Sequence, residues 1–255
     1  MLNNDFIVVD FKKCSLILDS RFIHDRFSGP ESRLPRRKLS PPVSVFCMVL
    51  TTNEDLTSKA KAVNETWGKR CNQTIFITNR PSTKKDVVYL KTVRDGRNHL
   101  TQKVMLSLEY VYSNFGNHDW YLKADDDTYI VMDNLRHLLS YYDRKEPVYL
   151  GQNFKFYLKH GYNSGGAGYV LSKPALRKLT QGLNSKICKL DGKDEDVDVA
   201  TCLEFQGVAA YDTKDKLNRE TFHSSTLEDH VVGPLSKLLQ RYPSTRAKTV
   251  GFYFR

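Results

Sequence analysis

The chain has 255 residues, which is enough for one large α/β domain or two small domains with a substantial core. Its 40% hydrophobic and 27% charged residues are the composition of an ordinary soluble globular protein. A formal net charge of +10 favours an anionic partner such as nucleic acid, a membrane surface or a phosphorylated ligand. The densest basic run, residues 33–38 (RLPRRK), is typical of a solvated linker, and no nucleic-acid motif accompanies it. We therefore expect no nucleic-acid partner.

The cysteines and two glycosylation motifs favour the secretory pathway. None of the five cysteines forms a Cys-x-x-Cys pair, so structural zinc is not expected. Asn64-Glu65-Thr66 and Asn72-Gln73-Thr74 match the N-glycosylation pattern. The apolar runs at residues 6–9 and 16–18 are too short for a signal peptide or a transmembrane helix. A targeting segment is therefore expected to be missing from this chain or unusual.

Residues 1–42 lack sustained periodicity and are predicted to be an extension or linker. From Val43 onwards, apolar and β-branched runs predict strands at residues 43–50, 74–79, 87–92, 119–124 and 147–151. Helical spacing between them predicts three helices, whose apolar positions are Leu56, Ala60, Val63 and Trp67, then Val104, Leu108, Val111 and Phe115, then Val131, Leu135, Leu138 and Tyr142.

This alternation predicts an α/β fold, with a doubly wound, mostly parallel sheet and helices on both faces. Such sheets bind ligands at the carboxyl ends of their strands. Three consecutive carboxylates, Asp125, Asp126 and Asp127, follow the predicted strand DWYLKA at such an end. We therefore expect a binding site at this edge.

The three aspartates allow two interpretations. Asp126 or Asp127 could cap a helix that starts at Thr128, but one carboxylate suffices for a cap. Three adjacent carboxylates repel one another, and a divalent cation relieves that repulsion. The spacing does not match an aspartyl phosphatase motif or an EF-hand loop. The remaining interpretation is an Asp-x-Asp motif that holds Mn²⁺ or Mg²⁺ against a diphosphate.

Five motifs in order resemble the fringe-like β1,3-glycosyltransferases, and within them the core 1 β1,3-galactosyltransferases. The motifs are residues 62–72 (AVNETWGKRCN), 119–139 (DWYLKADDDTYIVMDNLRHLL), 161–176 (GYNSGGAGYVLSKPAL), 194–208 (DEDVDVATCLEFQGV) and 219–225 (RETFHSS). The resemblance implies a GT-A type fold, a glycosyltransferase domain at residues 43–225, a UDP-sugar donor and Mn²⁺.

The resemblance also assigns roles to individual residues. Asp125, Asp127 and His223 would be the metal ligands. Asp196 would be the base that takes the proton from the acceptor hydroxyl, although the acidic residues 194–198 could instead be a helix N-terminus favoured by the helix dipole. The donor nucleotide would be bound by Leu50, Thr51, Asp95, Gly96, Arg97, Lys103, Asp119 and Asp125, with Gly166 in the floor of the sugar pocket.

Residues 163–172 (NSGGAGYVLS) could also suggest a dinucleotide-binding loop, but the third glycine of that motif is absent. The family's cysteine pattern maps onto two disulfides, Cys47 with Cys71 and Cys188 with Cys202, and leaves Cys14 unpaired. Two departures from the family are the absence of an N-terminal transmembrane anchor and a divergent tail, residues 226–255, without Trp or Cys. That tail puts acceptor binding in doubt.

The expected function is the inverting, Mn²⁺-dependent transfer of galactose from UDP-galactose to the 3-hydroxyl of GalNAc linked to Ser or Thr. The expected location is the Golgi lumen. The resemblance implies a membrane anchor, which is not visible in this chain. A homodimer is possible. The alternatives are a related β1,3-glycosyltransferase with other sugars, or a non-catalytic paralogue that acts as a chaperone-like partner of such an enzyme.

Overall fold

The structure is a computed structural model that describes residues 6–7, 18–19, 43–93, 96–211, 213–215 and 220–225. The chain divides into two compact units, residues 1–42 with Arg255, and residues 43–254. In the first unit, β1 (Phe6–Ile7) and β2 (Leu18–Asp19) form an antiparallel pair. The predicted tail, residues 226–255, lies outside the described residues, as does Cys14.

The second unit contains both strands and helices, and up to residue 151 their order is the one that the sequence predicts. None of its described helices is long and apolar enough to span a bilayer. The strands are β3 (Val45–Leu50), β4 (Gln73–Thr78), β5 (Val87–Tyr89), β6 (Trp120–Asp125), β7 (Tyr149–Gly151), β8 (Asn153–Phe154), β9 (Tyr162–Asn163), β10 (Tyr169–Ser172) and β11 (Ala210–Tyr211). The helices are α1 (Lys59–Glu65), α2 (Leu100–Asn114), α3 (Met132–Leu139), α4 (Lys173–Asn184) and α5 (Glu195–Phe205).

Seven strands form one sheet in the order β11-β7-β10-β6-β3-β4-β5. Neighbouring strands run parallel except at β10, which is antiparallel to both β6 and β7. The prediction of a mostly parallel α/β sheet is therefore confirmed. The sequence did not predict β10 as a strand. Because β10 runs against β6, the glycine-rich residues 164–168 before it lie at the edge where β6 ends.

Helices cover both faces of the sheet, as predicted for a doubly wound fold. The central strand β3 is buried on both sides, so its residues alternate between two apolar clusters. Phe46, Met48 and Leu50 join the cluster that contains α2, α4 and α5, whereas the alternate residues of β3 join the one that contains α1 and α3. The sheet is thereby held between two layers of helices, and its carboxyl edge is left for a ligand.

The first predicted helix is interrupted. The sequence predicts one helix through Leu56 and Trp67, but α1 covers only Lys59–Glu65 and short 3-10 helices flank it at Glu54–Thr57 and Trp67–Arg70. Thr66 leaves helical geometry and its hydroxyl donates to the Ala62 carbonyl. The break directs the Trp67 indole to the acidic turn, where its N–H donates to the Thr128 carbonyl at 3.0 Å.

Both expected disulfides are formed. Cys47 on β3 is bonded to Cys71, which follows the interrupted helix, and Cys188 is bonded to Cys202 on α5. The cysteines of the second bridge are 14 residues apart in sequence. The bridge ties the segment before the acidic residues to α5, which carries those residues. It therefore restrains the segment that contains the expected base.

We predict that replacing both Cys188 and Cys202 by Ser lowers the free energy of unfolding by about 3 kcal/mol, because a short covalent loop is released in the unfolded chain. Urea unfolding followed by tryptophan fluorescence measures this change. Cys14→Ser is the matched control for loss of a cysteine, since Cys14 is in neither bridge. An unchanged midpoint in the double variant would contradict the prediction.

Candidate active site

The carboxyl edge of the sheet gathers most of the expected site residues that the structure describes. Leu50 at the end of β3 pairs with Asp125 at the end of β6, so the two strands finish side by side. Thr51 follows directly, and its carbonyl accepts a hydrogen bond from the Lys103 ammonium at 2.9 Å. Lys103 is on the first turn of α2, and this places the helix N-terminus at the same edge.

The three aspartates have three different environments. Asp125 is 34% exposed at its side chain and forms an ion pair with Lys123, with 3.0 Å between Oδ1 and Nζ. Asp126 turns the other way and accepts a hydrogen bond from the Thr51 hydroxyl at 2.6 Å. Asp127 is exposed to solvent. Burial raises the pKa of Asp126, and the Thr51 hydrogen bond opposes that effect.

The aspartates do not cap a helix, so that interpretation is wrong. Helix α3 begins at Met132, its N-cap is Val131, and no side chain caps it. Instead residues 125–128 form a tight turn in which the Thr128 N–H donates to the Asp125 carbonyl at 3.1 Å. The Thr128 hydroxyl accepts from the Asp125 N–H and donates to the Gly166 carbonyl, which joins the turn to the glycine-rich loop.

Below the turn lies a buried lysine that the sequence analysis did not single out. Lys123 is 1% exposed in the middle of β6. Its ammonium contacts Asp125, donates to the Gly165 carbonyl at 3.1 Å and lies 3.6 Å from Glu195 Oε2. Burial alone would lower the pKa of Lys123, but Glu195 and Asp125 outweigh it and the pKa is raised, so the side chain stays charged.

Glu195 is the buried carboxylate of this group. It is the first residue of α5 and 5% exposed, and it accepts a hydrogen bond of 2.7 Å from the Tyr169 hydroxyl. Burial raises the pKa of Glu195, and Lys123 and Tyr169 oppose that rise. The pKa of Tyr169 lies well above its usual value, chiefly because of burial and next because of Glu195, so this hydroxyl remains a donor.

Asp196, the expected base, lies next to this buried group and is partly exposed. Its Oδ2 accepts a hydrogen bond from the Gly165 N–H at 3.0 Å, and its Oδ1 accepts one from the Val197 N–H. Gly165 therefore contacts Lys123 through its carbonyl and Asp196 through its N–H. The acidic residues also occupy the first turn of α5, where the helix dipole favours negative charge, so the helix-terminus interpretation holds as well.

Two glycines of the loop differ sharply in the space around them. A Cβ on Gly165 would stand 2.6 Å from Glu195 Oε2, whereas the nearest atom to a Cβ on Gly166 is the Ser224 carbonyl oxygen at 4.0 Å. Gly165 is thus enclosed by the buried charges and Gly166 borders open space. That distance also places Ser224, the neighbour of His223, near this loop.

The structure does not bring all the expected nucleotide-side residues together. Arg97 is exposed in the 3-10 helix Arg97–His99 before α2, and Gly96 caps that helix with a positive φ of 103°, which favours glycine. Asp95 lies outside the described residues. Asp119 precedes β6 at the opposite edge of the sheet, where it forms an ion pair with Arg144 at 2.9 Å. That position separates Asp119 from the rest of the site.

The expected metal ligands suit a hard cation in their chemistry. Asp125 and Asp127 supply carboxylate oxygens, the ligands that Mn²⁺ and Mg²⁺ prefer, at the ligand-binding edge of the sheet. Among the described residues, no three His, Cys, Asp or Glu side chains converge into a group that could hold a metal ion. The donor types therefore fit Mn²⁺, and the three-ligand arrangement of Asp125, Asp127 and His223 stays a prediction.

Lys123, Glu195 and Tyr169 are the groups that the sequence analysis missed. One signal was present, since Lys123 is a single charge inside a run that is otherwise apolar until Asp125. In a central strand such a charge is buried and needs a partner of opposite sign. The partner could not be identified from spacing, because Glu195 is 72 residues away and reaches Lys123 only through the sheet and α5.

A mostly parallel sheet with carboxylates and a glycine loop at its carboxyl edge defines an α/β protein of the class that usually binds ligands at that edge. The Fringe-like family model matches residues 41–232, and the chain belongs to this family. The observed architecture is consistent with the GT-A-like fold that the resemblance implies.

Named relatives are similar over most of this chain. The chain is 38% identical to glycoprotein-N-acetylgalactosamine 3-beta-galactosyltransferase 1 of Xenopus laevis over 212 residues, which cover 83% of this chain and 59% of that protein. It is 28% identical to beta-1,3-glucosyltransferase of Mus musculus over 167 residues, which cover 64% of this chain and 34% of that protein. It is 26% identical to chondroitin sulfate synthase 3 of Homo sapiens over 178 residues, which cover 62% of this chain and 20% of that protein. The chain thus spans less than two thirds of the length of each relative.

A solved structure is similar at lower coverage. It is a glycosyltransferase involved in the glycosylation of the major capsid of PBCV-1, with a TM-score of 0.35 and 14% sequence identity. The match covers 55% of this chain and 66% of that one.

We predict that Gly165→Ala destabilises the protein by about 1–3 kcal/mol, because the new methyl group would overlap Glu195 in a tightly packed group. Gly166→Ala is the matched control and is expected to stay within about 0.5 kcal/mol of the wild type. Thermal unfolding of both variants measures the difference. Equal melting temperatures for the two variants would show that Gly165 is not enclosed as described.

Proposed function

We propose that the chain transfers galactose from UDP-galactose to the 3-hydroxyl of GalNAc linked to Ser or Thr, with inversion and with Mn²⁺ as cofactor. The observation that carries this proposal is that one residue, Gly165, contacts both the group that holds the expected metal ligand Asp125 and the expected base Asp196. Its carbonyl accepts from Lys123, which holds Asp125, and its N–H donates to Asp196. Membership of the Fringe-like family and the 38% identity to a β1,3-galactosyltransferase support the reaction class.

On the donor side, Leu50, Thr51 and Lys103 would bind the nucleotide, together with Gly96 and Arg97 at the start of α2. Arg97 and Lys103 have the charge that a diphosphate requires. By the resemblance, Asp95 belongs to the same nucleotide-binding segment. The resemblance also places Gly166 in the floor of the pocket for the donor sugar. Asp125 and Asp127, joined by His223, would hold Mn²⁺, which supplies positive charge against the diphosphate of the departing UDP.

On the acceptor side, Asp196 is the residue that would accept the proton. The acceptor O3 forms a bond to the anomeric carbon as the bond from that carbon to the UDP oxygen breaks, and the O3 proton passes to the Asp196 carboxylate. Attack from the face opposite the leaving group gives inversion. The two backbone N–H groups of Gly165 and Val197 fix the orientation of Asp196 for this role.

The proposed location is the secretory pathway, in the Golgi lumen. Two disulfides support an oxidising compartment, where such bonds persist. Asn64 and Asn72 of the glycosylation motifs are both exposed, which suits modification on the same side of the membrane. UDP-galactose and a glycoprotein acceptor are the proposed partners.

The test of this reaction uses the purified chain, UDP-galactose, Mn²⁺ and a GalNAc-threonine peptide, with product identified by mass spectrometry. We predict transfer by the wild type and a rate lower by about 10²–10⁴ in Asp196→Asn, because the base is lost. Asp194→Asn is the matched control, since Asp194 precedes the same helix and its side chain makes no capping hydrogen bond.

Three results would change these assignments. Transfer that persists at the wild-type rate in Asp196→Asn would remove Asp196 as the base. Mn²⁺-dependent UDP binding by the wild type with no product from any acceptor would favour a non-catalytic paralogue. Product from UDP-glucose or UDP-N-acetylglucosamine alone would keep the reaction class and change the donor.

A second prediction concerns the metal. We expect Asp127→Ala to weaken Mn²⁺-dependent UDP binding at least about tenfold, because one of two adjacent carboxylate ligands is removed. Isothermal titration of UDP with and without a chelator measures this loss. Asp133→Ala is the control, because Asp133 is an exposed carboxylate in a surface ion pair with Arg70. UDP affinity that is unchanged by chelation would contradict a metal-dependent donor site.

A further inference from the structure

Lys123 is a buried charged residue that takes no part in the bond-making and bond-breaking of the proposed reaction. It lies on β6 between Leu122 and Ala124, which are 1% and 0% exposed, and it is itself 1% exposed. A charge at such a position is costly unless hydrogen bonds and opposite charges surround it. The groups that surround the ammonium therefore indicate which role of Lys123 offsets the free-energy cost of its burial.

The partners of Lys123 come from three separate elements. Asp125 is at the end of β6, Gly165 is in the loop before β10, and Glu195 is the first residue of α5. The ammonium also lies 5.7 Å from the centre of the Tyr169 ring on β10. An ammonium has three N–H donors; Asp125 and the Gly165 carbonyl accept two hydrogen bonds from it, and Glu195 adds an opposite charge at 3.6 Å.

The distances separate a positioning role from simple neutralisation of Glu195. The short contacts of the ammonium are with Asp125 at 3.0 Å and the Gly165 carbonyl at 3.1 Å, and the distance to Glu195 is longer, at 3.6 Å. The short contact of Glu195 is instead with the Tyr169 hydroxyl, at 2.7 Å. The direct hydrogen bonds of Lys123 thus go to groups that form the two sides of the proposed site.

We propose that Lys123 is a positioning residue that fixes the Asp125 carboxylate and, acting through Gly165, the Asp196 carboxylate in one relative geometry. The contacts form a continuous path from Asp125 through Lys123 and the Gly165 peptide to Asp196. The donor and acceptor sides are therefore set by one buried ammonium. The catalytic meaning of this geometry rests on the proposed function.

Three variants separate positioning from neutralisation. Lys123→Met keeps the length of the side chain and removes its charge, which leaves Glu195 buried and unpaired. Glu195→Gln removes the opposite charge and keeps an acceptor for Tyr169. The double variant removes both charges, so it relieves the unpaired Glu195 but does not restore the hydrogen bonds to Asp125 and Gly165.

We expect Lys123→Met to lower the melting temperature strongly and the double variant to recover most of that loss. In the double variant, UDP affinity with Mn²⁺ and the turnover number should each stay at least about tenfold below those of Glu195→Gln. Leu179→Ala, a fully buried change on α4, is the control for reduced stability. It should lose stability without the tenfold losses when assayed well below its melting temperature.

Hydrogen exchange provides a readout that needs no activity. Peptides that cover residues 123–128 and 164–168 should exchange faster in the double variant than in Glu195→Gln, because both segments lose their common contact. Recovery of exchange protection, UDP affinity and turnover together with stability would overturn the proposal, since neutralisation of Glu195 would then be the whole role. A wild type that binds no UDP would refute the proposed function, and the exchange result would still decide whether Lys123 positions these segments.

Discussion

The direction of one strand determines where the chemistry of this protein can lie. In a sheet that is otherwise parallel, β10 runs against both of its neighbours, β6 and β7. The start of an antiparallel strand lies beside the end of its partner, so the loop before β10 lies beside the aspartates after β6. A parallel strand at this position would place that loop at the other edge, about 20 Å away for a strand of six residues.

At this edge the loop meets carboxylates from distant parts of the sequence, Asp125 on β6 and Glu195 and Asp196 on α5, and a nearby cation offsets their repulsion. Asp125, Glu195 and Asp196 all act to raise the pKa of Lys123, and Lys123 is the buried charge that balances them. The arrangement differs from a surface ion pair, which water screens and which contributes little. Loss of one partner from such a buried group leaves an uncompensated charge, so the group is fixed as a unit.

The sequence predicted the strands β3 to β7, the sheet class and the acidic edge because apolar periodicity and strand-end carboxylates are local signals. Residues 45–50 and 120–125 are such runs, and both are central strands. The disulfides and Asp196 were inferred from family motifs, since spacing alone does not specify pairing. The break after Glu65, the strands β8 to β11 and the Lys123 contacts were missed. Each depends on a tertiary contact, such as Trp67 with Thr128, that no window of sequence contains. Asp119, a nucleotide-side candidate, precedes β6, so the length of that strand separates it from the aspartates at the other end.

The bond between Cys47 and Cys71 has a consequence for any preparation of this protein. Cys71 follows the short helix Trp67–Arg70, and the Trp67 indole holds the turn of residues 125–128 through the Thr128 carbonyl. The redox history of a sample therefore bears on the ligand-binding edge although the disulfide lies inside one face of the sheet. Material made in a reducing cytosol would keep the apolar sheet while losing a restraint on the acidic turn. A normal circular dichroism spectrum would not reveal that loss, so the oxidation state of these two thiols must be measured before a weak affinity is interpreted.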